Sequence, residues 1–339
     1  MKKYSIGVDI GGTKCAVVLG KGRLPEKESD SFILDKIKFP TEAEKGPEQT
    51  IRRICEAVSS LLKRNQVKAE EAVGIGVSCG GPLDHRKGIV LNPPNLYGWD
   101  HIPIADILEK KFGIRTFLEN DANACGLAEW RFGAARGYRN IVFLTCGTGL
   151  GAGLILDGRL YHGSCGMAGE AGHVRLSPEG PVGYGKAGSF EGFCSGGGIA
   201  QIARTKVLEK LQMGERPPLC PDVEGLQALS AKTVAEAAKA GDALAGEIYR
   251  ISGRYLGRGL AILIDILNPE VIVLGSIYER AEELLLPGVS EILEKEALEI
   301  SRRSCRIVPA GLGEQIGDYA ALSVAFGEDW GEAGDNEEE

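Results

Sequence analysis

The sequence has no run of basic residues and no apolar run near the roughly 20 residues needed to cross a bilayer. Lys and Arg number 39 and Asp and Glu number 47, which gives a formal net charge of −8. Proteins that bind nucleic acids concentrate Lys and Arg on one face. These absences predict a protein with neither a membrane nor a nucleic-acid partner.

Paired cysteine spacing is also absent. The nine cysteines are odd in number and scattered, and no leader segment precedes Met1. This pattern is typical of the reducing cytosol, so we expect a cytoplasmic protein. The acidic residues 327–339 lack a periodic apolar face, which predicts a solvated, disordered tail.

The 339-residue chain is too long for one compact core and favours two packed α/β domains. Apolar periodicity predicts strands and helices in alternation. The predicted strands cover 4–19 (two strands), 32–39, 73–78, 114–118, 140–145, 152–156, 271–274 and 306–308. The predicted helices cover 50–62, 104–112, a stretch from 122 onward, 244–266, 281–300 and 316–326.

Each half of the chain opens on an apolar strand, a turn with glycine and threonine, and a second apolar strand. The turns occupy residues 9–14 and 146–151. This weak repeat predicts two similar lobes that face each other across a ligand cleft. Glycines let backbone N–H groups approach phosphate oxygens, so both turns are candidate phosphate sites, although the first could be a plain hairpin. Asp9, at a strand end, is well placed to hold Mg²⁺ through water.

The second turn also matches a dinucleotide fingerprint. Residues 147–152 fit G-x-G-x-x-A, and Glu170 follows about 20 residues later. That fingerprint requires a helix directly after the glycines. Residues 153–158 are instead apolar and end in Asp157-Gly158, which predicts a strand. We therefore favour phosphate binding over nicotinamide binding.

A dense polar cluster lies between the two turns. Glu119, Asn120, Asp121 and Asn123 mark the junction between a predicted strand and a predicted helix. Asp121 could simply cap this helix. The cluster is denser than one cap requires, and a kinase needs a carboxylate to accept the proton of the substrate hydroxyl.

Further candidates lie in the second half. Glu170 and His173 could hydrogen-bond the hydroxyls of a polyol, as could Glu191, although His173 could be a partly buried structural ring and Glu191 merely exposed. Gly275, which ends a buried strand, could form a plain turn or allow close passage of an adenine ring.

Together these motifs make the chain resemble the ROK family of repressors and sugar kinases. The resemblance implies a two-lobed, actin-like, hexokinase-type α/β fold of the ribonuclease H-like class. It implies ATP- and Mg²⁺-dependent phosphorylation of a hexose, most often at the 6-hydroxyl, with Asp121 as the general base. Residues implied to bind the sugar are Gly80, Gly81, Asn120, Asp121, Glu170, His173 and Glu191. Residues implied to bind ATP are Asp9, Gly11, Gly12, Thr13, Lys14, Thr148, Gly149 and Gly275. A homodimer is also implied.

Two departures from the family pattern qualify this resemblance. Many members carry a zinc motif, C-x-C-G-x-x-G-C-x-E, in which Val182, Tyr184 and Ser189 here replace all three cysteines. A structural zinc needs about four ligands, so we expect none. Only eight residues precede Asp9, which leaves no room for the DNA-binding segment of the family's repressors.

The expected domains are an N-terminal lobe (1–120) with the helix near 313–326 packed back on it, and a C-terminal lobe (121–312). Two alternatives to a glucokinase-like enzyme remain open. One is a sugar-binding regulator or scaffold of the same fold, and the other is an actin-like polymer. The sugar itself (glucose, fructose, allose, mannose or an N-acetylhexosamine) is not decided by any residue.

Overall fold

The computed structural model describes residues 2–23 and 32–327, which form fourteen β-strands and ten α-helices. The strands are β1 (Tyr4–Ile10), β2 (Lys14–Lys21), β3 (Ile33–Pro40), β4 (Ala72–Cys79), β5 (Leu83–Asp84), β6 (Ile89–Val90), β7 (Thr116–Asn120), β8 (Ile141–Leu144), β9 (Ala152–Leu156), β10 (Arg159–Leu160), β11 (Val182–Gly183), β12 (Lys186–Ala187), β13 (Val271–Leu274) and β14 (Arg306–Pro309). The helices are α1 (Pro47–Arg64), α2 (Ile104–Phe112), α3 (Asp121–Phe132), α4 (Phe190–Cys194), α5 (Gly196–Gln212), α6 (Ala231–Lys239), α7 (Ala243–Leu267), α8 (Ile277–Glu296), α9 (Glu299–Ser304) and α10 (Ile316–Val324).

The first sheet has the strand order β3-β2-β1-β4-β7. Strands β1, β4 and β7 are parallel, whereas β2 and β3 add antiparallel strands at one side. In this register Ile10 pairs with Cys79, and Cys79 pairs with Asn120. The carboxyl ends of three parallel strands therefore meet at one edge, where ligands bind in open α/β sheets.

The second sheet has the order β10-β9-β8-β13-β14, with β13 parallel to both β8 and β14. All four residues of β8 and of β13 are buried, as expected for parallel strands covered on both faces.

Backbone contacts divide the chain into two compact units. The first contains residues 1–139, 153–168 and 311–339, and the second contains 140–152 and 169–310. The sequence placed the boundary at residue 120, whereas helix α3 belongs to the first unit because it packs against α10 and β7. Apart from Gly327, the acidic tail predicted for 327–339 lies outside the described residues.

Each unit has its own helical packing. In the first unit α1 buries Ile54, Val58 and Leu61 beside the sheet, and α10 packs on β1, β4 and α3. In the second unit the 25-residue α7 packs against α4, α5, α6 and α8. Among the helices of the described residues, none combines the length and apolar character that crossing a membrane requires.

Most predicted elements lie within a few residues of the observed ones, with one correction. The single helix predicted over 281–300 is two helices, α8 and α9, because Ala297 and Leu298 between them adopt non-helical backbone angles.

Candidate active site

The junction around Asp121 is built by the end of β7 and the start of α3. Asn120 caps the helix, since its Oδ1 accepts hydrogen bonds from the N–H groups of Ala122 (2.9 Å) and Asn123 (3.4 Å). Asp121 Oδ1 also accepts from the Ala122 N–H at 2.9 Å. The side chain of Asp121 thus contributes one oxygen to the helix end, while Asn120 supplies the main cap.

The other oxygen of Asp121 faces the end of β4. A Cβ atom added to Gly80 would lie 3.8 Å from Asp121 Oδ2, and one added to Gly81 would lie 3.3 Å from Asn120 Nδ2. The structure thus brings four of the predicted sugar-binding residues together on one edge of the first unit. Asp121 is exposed there.

Asp9 lies two strands away along the same edge. Its pKa is raised from 3.8 to about 7, mainly by burial and also by the carboxylates of Asp121 and Asp318, whereas Lys14 and Lys36 oppose the shift. The pKa of Asp121 is also raised, mainly by the loss of hydration among surrounding atoms, and its bond from the Ala122 N–H opposes this. Although solvent reaches Asp121, the carboxyl is therefore a better proton acceptor than an ordinary aspartate.

The first glycine turn joins β1 to β2 beside Asp9. The Gly11 N–H donates to Lys14 O (3.1 Å), and Thr41 Oγ1 donates to Gly11 O (2.5 Å), so part of the turn's backbone is used internally. A Cβ on Gly12 would lie 2.8 Å from Asn95 O, which explains glycine at this position. Thr13 and Lys14 are exposed.

The second glycine turn follows β8 in the second unit. The Gly147 N–H donates to Gly149 O (2.9 Å), and the Gly151 N–H donates to Thr145 Oγ1 (3.0 Å). The Leu150 N–H donates to Glu191 Oε2 (2.9 Å), and a Cβ on Gly149 would lie 2.8 Å from the same oxygen. Strand β9 follows this turn, so the dinucleotide fingerprint, which requires a helix there, is rejected.

A cavity of about 690 Å³ opens beside this turn, entirely within the second unit. Its lining includes Gly147 and Thr148 of the turn, Gly196 at the start of α5, and Ser276 after β13. Helices α6, α7 and α8 complete the walls. Gly275 lies just behind Ser276, where a Cβ would be 3.3 Å from Thr145 O. The volume is in the range of ordinary small-molecule sites.

Glu170 precedes a short 3₁₀ turn (Ala171–His173) in the second unit, and His173 is the last residue of this turn. Both residues are exposed, so His173 is not the partly buried structural ring that the sequence allowed. Gly172 between them approaches Glu191, since an added Cβ would lie 3.3 Å from Glu191 Cβ. The three predicted sugar ligands of this unit therefore lie in one region.

The positions that replace the family's zinc cysteines have other roles. Val182 lies in the β11–β12 hairpin, and Tyr184 in its turn meets the His173 ring edge-on with centroids 6.3 Å apart. Ser189 caps α4 by accepting from the Gly192 N–H (3.0 Å). Within residues 2–23 and 32–327 there is no group of three or more His, Cys, Asp or Glu side chains that could hold a metal ion.

Sequence reasoning missed a hydrogen-bond chain behind the Asp121 junction. Glu119 Oε1 accepts from the Asn120 N–H and from Asn123 Nδ2, both at 2.9 Å, and Glu119 Oε2 accepts from His162 Nε2 at 2.7 Å. The His162 ring stacks on His85 with centroids 3.9 Å apart. The density of polar residues at 119–123 was the one sequence signal for this network.

These features define an α/β protein with two glycine turns and a carboxylate at a strand-to-helix junction. A sequence profile described as "ROK family" matches residues 5–326, and the chain belongs to this family. The predicted fold class, the actin-like fold of ROK sugar kinases, is confirmed.

Three relatives illustrate the range of the family. The glucokinase of Thermotoga maritima is 35% identical over 94% of this chain and 96% of its own length. The structure of a ROK glucokinase from Streptomyces griseus in complex with glucose and AMPPNP has a TM-score of 0.72 and 31% identity, covering 95% of this chain and 99% of that one. The DNA-binding transcriptional dual regulator NagC of Escherichia coli is 28% identical over 95% of this chain and 76% of its own length.

Proposed function

We propose that the protein is an ATP-dependent sugar kinase that phosphorylates glucose or a related hexose, at the 6-hydroxyl. The observation that carries this proposal is the placement of Asp121. Its Oδ2 faces Gly80 at the edge where three parallel strands end, and the Asp9 turn lies at the same edge. The glucokinases among the relatives, including the one solved with glucose and AMPPNP, support this assignment.

The chemistry requires a base and a positioned acceptor. Asp121 would accept the proton of the sugar hydroxyl as the new bond to phosphorus forms and the bond to the ADP leaving group breaks. Asn120, with its side-chain amide next to Gly81, would hydrogen-bond an adjacent hydroxyl. Gly80, Gly81, Glu170, His173 and Glu191 are the other proposed sugar contacts.

The glycine turn of each unit supplies proposed contacts to the phosphates of ATP. Gly149 and Gly12 lie where a side chain would collide with neighbouring atoms, which explains glycine at both positions. Gly11, Thr13, Lys14 and Thr148 complete the proposed phosphate contacts, and the cavity in front of Gly275 would take the adenosine. Mg²⁺, held through water by Asp9, would neutralise charge on the phosphate oxygens.

A coupled assay for ADP release tests the proposal. The purified protein is incubated with ATP, Mg²⁺ and each member of a hexose panel that includes glucose, mannose, fructose, allose and N-acetylglucosamine. We expect ADP release that depends on one or a few sugars. For a sugar that supports turnover, its 6-deoxy analogue should inhibit without releasing ADP, because it lacks the acceptor hydroxyl. ADP release that does not depend on any sugar would refute the proposal.

A sugar-binding regulator is the second candidate, because NagC is also a relative. A kinase and a regulator differ in one measurement: a regulator would bind a panel sugar, as seen by a shift in melting temperature, without ADP release.

We also propose that the protein forms a homodimer. Light scattering after gel filtration tests this, and the expected mass is twice 36.1 kDa.

A further inference from the structure

A second cavity, of about 470 Å³, lies within the first unit. Its walls come from β7, α3, β10 and the end of α10, together with His85 and His162. The proposed kinase reaction uses none of its basic residues. Its volume is within the range that holds small organic ligands.

The charges on the cavity wall favour an anion. Arg131 and Arg159 both line the cavity. Arg131 is only 9% exposed and donates to Ser323 O; burial lowers its pKa to about 10, so it keeps its positive charge at neutral pH. Arg159 is exposed and lies at the rim. Guanidinium groups are well suited to carboxylates and phosphates because they present several donors in one plane.

Glu119, the single acidic residue of the lining among the described residues, does not cancel these cations. It is 6% exposed, and both of its oxygens accept hydrogen bonds from inside the unit: Oε1 from Asn120 and Asn123, and Oε2 from His162. Its charge is therefore directed at internal donors.

The rest of the lining is flat or apolar. Trp130 presents an aromatic side chain, and the His85 and His162 rings stack nearly parallel, with an angle of 8° between their planes. Leu127 and Leu160 add aliphatic surface. Such surfaces bind an apolar, planar body better than a hydrated ion.

We propose that this cavity is a binding site for a small organic anion, with a planar or apolar body and one carboxylate or phosphate head near Arg131 and Arg159. The cavity shares Glu119 and His162 with the network that supports Asn120 and Asn123. An occupant that moves His162 is therefore expected to change the turnover of Asp121, a consequence that rests on the proposed kinase function, whereas binding itself does not.

Calorimetry on the full chain tests binding with four probes: benzoate, phenyl phosphate, the neutral benzamide, and inorganic phosphate, which lacks the planar body. We expect benzoate or phenyl phosphate to bind with a Kd of about 1 mM or lower. Benzamide and inorganic phosphate should bind at least about tenfold more weakly. Tighter binding of benzoate would assign a carboxylate ligand, and tighter binding of phenyl phosphate would assign a phosphate.

Variants locate the site. Leu160→Trp should fill the cavity and abolish binding, and Arg159→Gln should weaken it about tenfold. Arg136→Gln, which changes an exposed arginine of the same unit outside the lining, should leave the Kd unchanged. Melting temperatures confirm that each variant is folded. Saturating hexose and AMPPNP should not compete with the probe.

Three results would overturn the site: failure of both aromatic anions to bind, equal affinity for benzamide, or full binding by folded Leu160→Trp. If an anion binds but ADP release is unchanged at saturation, the binding site stands and its regulatory effect is rejected. If ADP release is absent with every sugar, the calorimetry still decides the binding site.

Discussion

Glu191 Oε2 accepts a hydrogen bond from the Leu150 N–H at 2.9 Å, so that Glu191 supports the second glycine turn from behind. The sequence predicted Glu191 to be either a sugar ligand or merely exposed, and not a support for this turn. Its contact with Leu150 gives it a further structural role, because the same turn contains Thr148 and Gly149, the proposed phosphate contacts. One residue therefore links the proposed sugar and nucleotide sites of the second unit.

Two substitutions of Glu191 should separate these roles. Glu191→Gln keeps an oxygen that can accept from the Leu150 N–H but loses the charge offered to sugar hydroxyls. We expect the KM for sugar to rise about tenfold or more and the KM for ATP to change less than about threefold. Glu191→Ala should raise both the KM for sugar and the KM for ATP, because it also removes the acceptor of the Leu150 N–H. Steady-state kinetics would show this, with the exposed Glu179→Gln as control; an unchanged ATP KM in Glu191→Ala would contradict the supporting role.

Removing the charge of Asp121 should affect turnover more than binding. Asp121→Asn keeps the side-chain shape, and its Oδ1 can still accept from the Ala122 N–H. We expect kcat to fall by about 10²–10⁴-fold, the usual effect of losing a general base, with a smaller change in sugar affinity. Single-turnover kinetics and sugar titration would measure both. Near-normal kcat would exclude Asp121 as the base, and Asp100→Asn provides an exposed control.

The strands that carry the site were predictable because their sequence signals are local. Strands β1 and β4 are mostly apolar and each is followed by a glycine turn. This pattern predicts buried strands. Their parallel pairing with β7 then places Asp9 and Asn120 at one edge. The predicted strand at 114–118 is displaced by two residues from β7, a usual error at element boundaries.

Other parts were not predictable because tertiary contacts decide them. Helix α5 begins with Gly196, Gly197 and Gly198, although glycine disfavours helices; Ser195 caps it by accepting from the Gly198 N–H at 3.1 Å. The cavity of about 690 Å³ in the second unit is lined by Gly196 and Gly197, so its shape depends on where this helix begins. The pairing of Glu119 with His162 joins residues 43 positions apart, and no local pattern announces it.

Chelation should leave the fold intact. Ser189, which replaces a zinc-motif cysteine, caps α4, and the β11–β12 hairpin pairs through its backbone. Without the three thiolates, His173 alone cannot hold zinc. We expect purified protein to contain far less than one zinc per chain and to keep its melting temperature in excess EDTA. Elemental analysis and thermal denaturation measure this; one tightly bound zinc per chain would refute it.

The raised pKa of Asp9 predicts a pH-dependent cost to stability. A carboxyl whose pKa is about 7 in the folded state and 3.8 otherwise binds its proton more tightly when folded. The free energy of unfolding therefore decreases as the pH rises between these values, and the full cost is present above about 7.

Asp9→Asn should remove this cost. In metal-free buffer we expect the variant to be more stable than the original chain by about 4 kcal/mol at pH of about 8, since a pKa raised from 3.8 to about 7 costs about 1.4 kcal/mol per unit, and the gain to shrink to about 1–2 kcal/mol at pH of about 5. Urea denaturation at both pH values measures it. Asp100→Asn, at an exposed site, should show no such trend. A gain that is equal at both pH values would contradict the assignment to Asp9.

The packing of α10 on the first sheet leaves no space at Gly76. A Cβ there would lie 2.2 Å from both Ala321 O and Ala325 N, which are backbone atoms that cannot rotate away. Gly76→Ala must therefore separate β4 from α10, and we expect a loss of about 3 kcal/mol or more in the free energy of unfolding.

Gly246→Ala is the matched control, because this glycine lies inside α7 with no atom within 4 Å of an added Cβ. It should stabilise the protein by about 0.5–1 kcal/mol through helix propensity alone. Urea denaturation of both variants tests the contact: equal effects would mean that α10 does not approach β4 as closely as the structure shows.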